Sequence, residues 1–148
     1  MLIIKNPKTR EEFKAYYALR YHVLNEPSGL PKGTEKDDTE PISQHFMAID
    51  DASGEIVGVV KLFEKSPGVG HFSHMAVSKD HQRQGIGKIL IDNVERAARE
   101  NGYHTLGAMS RLTTTSYFEK FGYKIKGLPT HLFGPVQTIW MEKSLDPK

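Results

Sequence analysis

The sequence predicts an α/β (α+β) domain built on a mixed sheet, and three observations predict it. Short β-branched and aromatic runs alternate with stretches whose apolar residues recur at helical spacing. The length, 148 residues, is that of one ordinary domain, 1–148, able to bury a single core. One apolar run also passes into a helical pattern through the stretch KDHQRQGIGK, which holds two glycines, Gly85 and Gly87.

Taken in order, Leu2–Lys5 is a short strand that Asn6-Pro7 stops. Thr9 followed by Arg10, Glu11 and Glu12 reads as a helix start, with early acids that complement the dipole. Phe13, Tyr16, Tyr17, Arg20 and Leu24 then recur at helical spacing, predicting a helix over residues 9–24. Arg20 is either a polar intruder on its apolar face or a rim residue. Residues 25–41 hold three prolines, two glycines and a cluster of carboxylates, the composition of a long surface loop with room for one short helical turn. His45–Asp50 and Ile56–Phe63 are strands joined by a hairpin turn, and the second is apolar on both parities, as for a strand covered on two faces.

Gly70–Val77 is the next strand. Ile86, Ile89, Leu90, Val94, Ala97 and Ala98 mark one face of a helix that Asn101-Gly102 closes. His104–Met109 follows as a strand, Thr113–Phe121 as a short helix ended by Gly122, and Tyr123–Lys126 and Thr138–Glu142 as late strands.

Composition narrows the function classes. Hydrophobic residues make up 38% and charged residues 26%, ordinary globular values that exclude collagen-like and disordered chains. The formal net charge of +2, without a long basic run, gives no reason to expect nucleic acid as a partner. With no cysteine, the chain has no thiol nucleophile and no disulfide, which fits a cytoplasmic location. The first residues lack the apolar core of a signal peptide, no run of about 20 apolar residues appears, and no membrane partner is expected.

Glycine inside a helix costs roughly 1 kcal/mol relative to alanine, so Gly85 and Gly87 call for a compensating role. A strand that feeds a helix through a glycine turn presents unpaired N–H groups at the positive helix end, a preformed site for phosphate. Lys88 can add a point charge there and Arg83 can reach an outer phosphate. A helix start that merely tolerates glycine is the competing reading. The pattern is neither the dinucleotide fingerprint, since position 90 is Leu, nor a P-loop.

The run HMAVSKDHQRQGIGKIL resembles the acetyl-CoA-binding segment of the GCN5-related N-acetyltransferase (GNAT) family, whose pattern [QR]-x-x-G-x-[GA] is filled by Gln82-Arg83-Gln84-Gly85-Ile86-Gly87. A second element, Tyr117-Phe118-Glu119-Lys120-Phe121-Gly122-Tyr123, is similar to the family's F-Y-E-K-L-G-F. The resemblance implies a mixed, mostly antiparallel sheet, splayed at the cofactor site and flanked by about four helices. It implies an enzyme that moves an acetyl group directly from acetyl-CoA to an amine. Under it, the N–H groups of Gln84–Lys88 hold the pyrophosphate, Met75, Ala76 and Val77 pair with the pantetheine, and Arg111 and Phe118 border the cofactor arm. Family members often pair, so a homodimer stays open. A catalytically silent acyl-CoA-binding or regulatory module on the same fold is the alternative.

Direct transfer needs a base for the amine and an acid for the departing thiolate. The family's usual acid is a tyrosine four residues before the second-motif glycine; here that place is Phe118, and Tyr117 stands one earlier, about 100° round a helix. Some members carry a glutamate where this chain has His71, and an imidazole with pKa near 6.5 is a competent base. His74 is the second candidate. Strand parity puts the two rings on opposite faces, which argues against a metal site and leaves simple strand histidines as the competing reading. The acidic loop residues Glu35, Asp37, Asp38 and Glu40 either form a solvated charge run or attract a cationic amine.

Overall fold

The computed structural model describes residues 1–133 and 136–145. Its elements run β1 (Leu2–Lys5), α1 (Arg10–Arg20), β2 (Gln44–Asp50), β3 (Ile56–Ser66), β4 (Val69–Val77), α2 (Ile86–Glu100), β5 (Thr105–Arg111), α3 (Thr115–Glu119), β6 (Lys124–Phe133) and β7 (Val136–Ser144). The strands make one sheet in the order β1-β2-β3-β4-β5-β7-β6. Only β4 and β5 pair in parallel, through the α2 crossover; the other neighbours are antiparallel.

Local chemistry explains where the first helix starts. Thr9 Oγ1 accepts from the Glu12 N–H at 3.0 Å, and the Glu12 carboxylate returns to the Thr9 N–H at 3.1 Å, a closed capping box. The helix predicted over 9–24 forms, but its end loosens into a π-helical turn, Tyr21–Asn25, before Gly29 reverses the chain at φ 74°. Val23 of that turn packs on the cluster of Tyr16, Met47, Val59 and Ala76, so the wide turn abuts β4.

The sheet has a core on each face. On one face, Val60, Leu62, Phe72 and Leu106 of the sheet pack against Leu90 and Val94 of α2; on the other, Tyr16 of α1 packs with Met47, Val59 and Ala76. Full burial of each such side chain contributes about 1.5–3 kcal/mol. The last strands are longer than predicted. An irregularity between Lys126 and Thr130 absorbs Gly127, at φ 82°, and Pro129.

Two irregularities position the site. β4 and β5 pair only from Val69–Thr105 to His71–Gly107 and then part, leaving a fork in the sheet. Beyond the fork, β4 bulges: Lys61 faces Ser73 and Val59 faces Ala76, so two residues, His74 and Met75, stand opposite one. His74 takes the bulge in the left-handed region, at φ 53°.

Candidate active site

At the end of β4 and the start of α2 lies a cavity of about 390 Å³, lined by Val77, Arg83, Gly85, Gly87, Lys88 and Tyr117. Its floor is the start of α2. Gly85 caps that helix at φ 81°, in the region where a Cβ is strained, and no side chain caps the first-turn N–H groups. Arg83 shares the left-handed conformation, at φ 66°. The Gln82 amide donates to the Val77 carbonyl at 3.2 Å, tying the turn to the end of β4. Lys88 is exposed and pairs with Asp92 at 2.8 Å.

Gly87 has a second reason to be glycine. A Cβ there would collide with the Tyr117 hydroxyl, which lies against the first turn of α2. Tyr117 therefore reaches the cavity from α3, and burial raises its pKa, so the phenol keeps its proton. Phe118, one residue on, turns inward onto Phe72 and Tyr123.

The other predicted cofactor residues are spread about this cavity. The Ile86 side chain is buried in the α2 core although the residue borders the cavity, and Met75 Cε comes within 4.0 Å of where a Gly87 Cβ would be. Ala76 is buried on the α1 face. Gln84 is exposed on the turn, and Arg111 is exposed at the end of β5; neither borders the cavity.

Parity fails for the two histidines. A regular strand would set His71 and His74 on opposite faces, but the bulge at His74 breaks that alternation, and the charges of Lys61 and Asp37 act on both rings. His71 sits at the fork between Phe63, at 4.8 Å, and Trp140, at 5.0 Å between ring centroids. His74 Nδ1 shares a 3.0 Å hydrogen bond with Ser73 Oγ. Burial, then Lys65, pushes His71 down to about 4; burial, then Arg20 and Lys61, does the same for His74. Both rings are neutral at pH 7 and weaker bases than the pKa of 6.5 expected from the sequence. Among the described residues no three His, Asp or Glu side chains gather as a metal site.

The acidic loop is neither a solvated run nor a bare cation trap. Arg20 is fully buried and donates to Glu40 at 2.8 Å and to the Glu35 carbonyl at 3.0 Å. Lys61, also without exposed surface, donates to Asp37 at 2.6 Å, to Thr39 at 2.7 Å and to Glu40 at 2.7 Å. Burial alone would raise the Glu40 carboxyl, but hydrogen bonds from Lys61 and Arg20 overcome it and hold the pKa at about 2. Glu35 is buried, and Asp38 alone of the four has its side chain left to solvent without a partner. The signals were a single lysine inside IVGVVKLF and one arginine among helix aromatics.

A larger cavity, about 680 Å³, opens between the outer face of α1 and residues 32–36. It shares no residue with the fork, the bulge or the glycine turn, so its size does not make it the reaction centre.

A fork, a bulged strand, an uncapped glycine-led helix and a tyrosine over that helix now stand together. The family model of the acetyltransferase (GNAT) domain matches residues 34–145. The chain belongs to the GNAT family. It is 25% identical over 118 residues to the uncharacterised N-acetyltransferase YjcF of Bacillus subtilis, covering 80% of this chain and 82% of that one. Its fold matches an acyl-CoA N-acyltransferase from Pseudomonas aeruginosa with a TM-score of 0.82, at 19% identity over 97% and 98% of the two chains. A GNAT acetyltransferase from Elizabethkingia anophelis with acetyl-CoA bound matches with a TM-score of 0.76, at 18% identity over 97% of each chain. The GNAT fold, with its mixed and mostly antiparallel sheet, is thus present here, and the donor of this acetyltransferase class is acetyl-CoA.

Proposed function

We propose that this GNAT protein transfers an acetyl group directly from acetyl-CoA to a primary amine, on a small molecule or on a protein or peptide, within a ternary complex. The observation that carries the reading is the fork beyond His71–Gly107, which opens beside the uncapped N-terminus of α2. In this reading the N–H groups of Gln84–Lys88 receive the pyrophosphate, with Arg83 and Lys88 adding charge. The freed edge of β4, Met75 to Val77, pairs with the pantetheine. A backbone N–H at the bulge polarises the thioester carbonyl, as an oxyanion-hole donor does.

The neutral amine then forms the C–N bond as the C–S bond breaks. His71 takes the amine's proton, with His74 as the second candidate, and Tyr117 donates its proton to the departing thiolate. The absence of any cysteine in the chain is consistent with transfer that bypasses a thiol acyl-enzyme.

Phe118, packed on Phe72 where the resembling motif has its tyrosine, favours the second reading, a silent acyl-CoA-binding module. Titration calorimetry with acetyl-CoA, run beside a thiol-release assay over spermidine, phenethylamine and a lysine-containing peptide, separates the two. Binding with thiol release supports the enzyme. Tight binding without release across the panel supports the silent module, and no binding at all overturns both.

A further inference from the structure

The face of Trp140 is an attractive surface for a cation, and the structure shows how it is built. Trp140 is the only tryptophan of the chain. It stands on β7 opposite Met109, and its indole lies across β5 because Gly107 has no side chain; a Cβ there would run into the six-membered ring. The indole N–H donates to Glu142 Oε1 at 2.8 Å, which fixes the ring and sets a carboxylate at its edge. Its other side meets the His71 ring edge-on, at 5.0 Å and 87°. The ring therefore borders the fork beside a candidate base.

That face already holds a cation. Lys65 Nζ stands 3.7 Å from the ring centroid, well inside the roughly 6 Å reach of a cation–π contact. Lys65 is exposed, at the end of β3, on a flexible four-carbon stem. Of the loop carboxylates, Asp37 is paired with Lys61 and Glu40 with Lys61 and Arg20, which leaves the exposed Asp38 unpaired. At the fork the indole face, backed by Glu142, offers an incoming ammonium a place to lodge.

We propose that the face of Trp140 is the subsite for the acceptor's ammonium group, and that Lys65 fills it as a tethered stand-in until an acceptor displaces it. This deepens the amine-acetyltransferase reading and rests on it. The acceptor class is a primary amine that lodges on the indole as an ammonium, loses that proton to solvent before attack, and passes its second N–H proton to the neighbouring imidazole as the C–N bond forms. An acceptor recognised through an anionic group would instead use Lys65 as its partner, and would be weakened by losing it.

The single tryptophan makes the subsite directly observable. Trp140 emission is followed at pH 7 while n-butylamine or, as the neutral control, n-butanol is added to wild type, Lys65→Met and Lys65→Arg. The expected result is a changed emission in free Lys65→Met and half-change at a butylamine concentration lower by about threefold, the scale of an exposed cation–π contact. Butanol should give no such response, and Lys65→Arg, which keeps a cation in place, should behave as wild type. Unchanged emission in Lys65→Met, or equal responses to amine and alcohol, overturns the subsite. Because this readout does not involve acetyl transfer, a failed subsite in a protein that still releases thiol leaves the proposed reaction standing. Amine binding without thiol release from acetyl-CoA would instead sink the reaction.

Discussion

Lys61 Nζ lies 2.7 Å from Glu40 Oε2, and neither the lysine nor its strand neighbours Val60 and Leu62 show appreciable surface to solvent. A charge inside an apolar strand is tolerated only if it is paired and hydrogen-bonded, and Lys61 has three such partners. The pair fastens residues 37–40 over the α1 face, next to both histidines. Removing the ammonium leaves Glu40 to Arg20 and takes away the Asp37 ion pair. Lys61→Met should lower stability by about 3 kcal/mol in denaturant unfolding and expose residues 33–42 to protease. Asp37→Asn, at a half-exposed carboxylate, should lose about 1 kcal/mol or less. A Lys61→Met protein as stable and protease-resistant as wild type would show that the network is incidental.

Tyr117 and Gly87 compete for one space, so their substitutions should be coupled. Gly87→Ala must displace the phenol or tilt the first turn of α2, and acetyl-CoA binding should weaken. In a Tyr117→Ala background the same change should do less, with a coupling of about 0.5–3 kcal/mol in a double-mutant cycle read by calorimetry. Strict additivity would mean that the two residues do not meet at the binding site.

Tyr117→Phe removes only the hydroxyl. If that group protonates the thiolate, kcat should drop by about 10²-fold while the Kd for acetyl-CoA stays close to wild type. The phenol's raised pKa keeps it protonated at neutral pH, so the loss should be visible at pH 7. An equal fall in affinity with unchanged kcat would reduce Tyr117 to a wall of the cavity.

Gly85→Val tests the phosphate end. The φ of 81° at Gly85 strains any β-branched residue, and the uncapped turn of α2 depends on it. Acetyl-CoA binding should disappear while circular dichroism still shows a folded protein; retained affinity would refute the assignment of the pyrophosphate to this turn.

Which parts of this were readable in the sequence follows from the range of the interactions. The capping box at Thr9, the amphipathic face of α2 and the glycine turn are set by residues within a few positions of one another, and periodicity or a short motif exposes them. The bulge at His74 is not local: it exists because β3 and β4 lose register there, and a parity count cannot see it. The pairings of Lys61 with Asp37 and of Arg20 with Glu40 span 24 and 20 residues, so the loop looked solvated until the chain was folded. Trp140 carries no local signal, because its neighbours, Gly107 and His71, come from two other strands.

The histidines make stability depend on pH in a window that can be stated. An imidazole of the unfolded chain titrates near 6.5, while His71 and His74 in the fold titrate at about 4. Below pH 6.5 the unfolded state takes up protons that the folded state refuses, so stability is full above 6.5 and falls as pH drops toward 4. Each ring can account for at most about 3.4 kcal/mol of that loss. The Glu40 carboxyl, held at about 2 against an ordinary 4.5, has the same sign, but its share is lost lower, between 4.5 and 2. Unfolding midpoints of wild type, His71→Phe and His74→Gln from pH 8 to 4 should show the wild-type decline beginning near 6.5. Each variant should flatten it between 6.5 and 4.5, above the fall that the Glu40 carboxyl adds. A wild-type midpoint that holds constant down to pH 4.5 would mean that both rings titrate normally in the fold, and would remove the reason to call them neutral, desolvated bases.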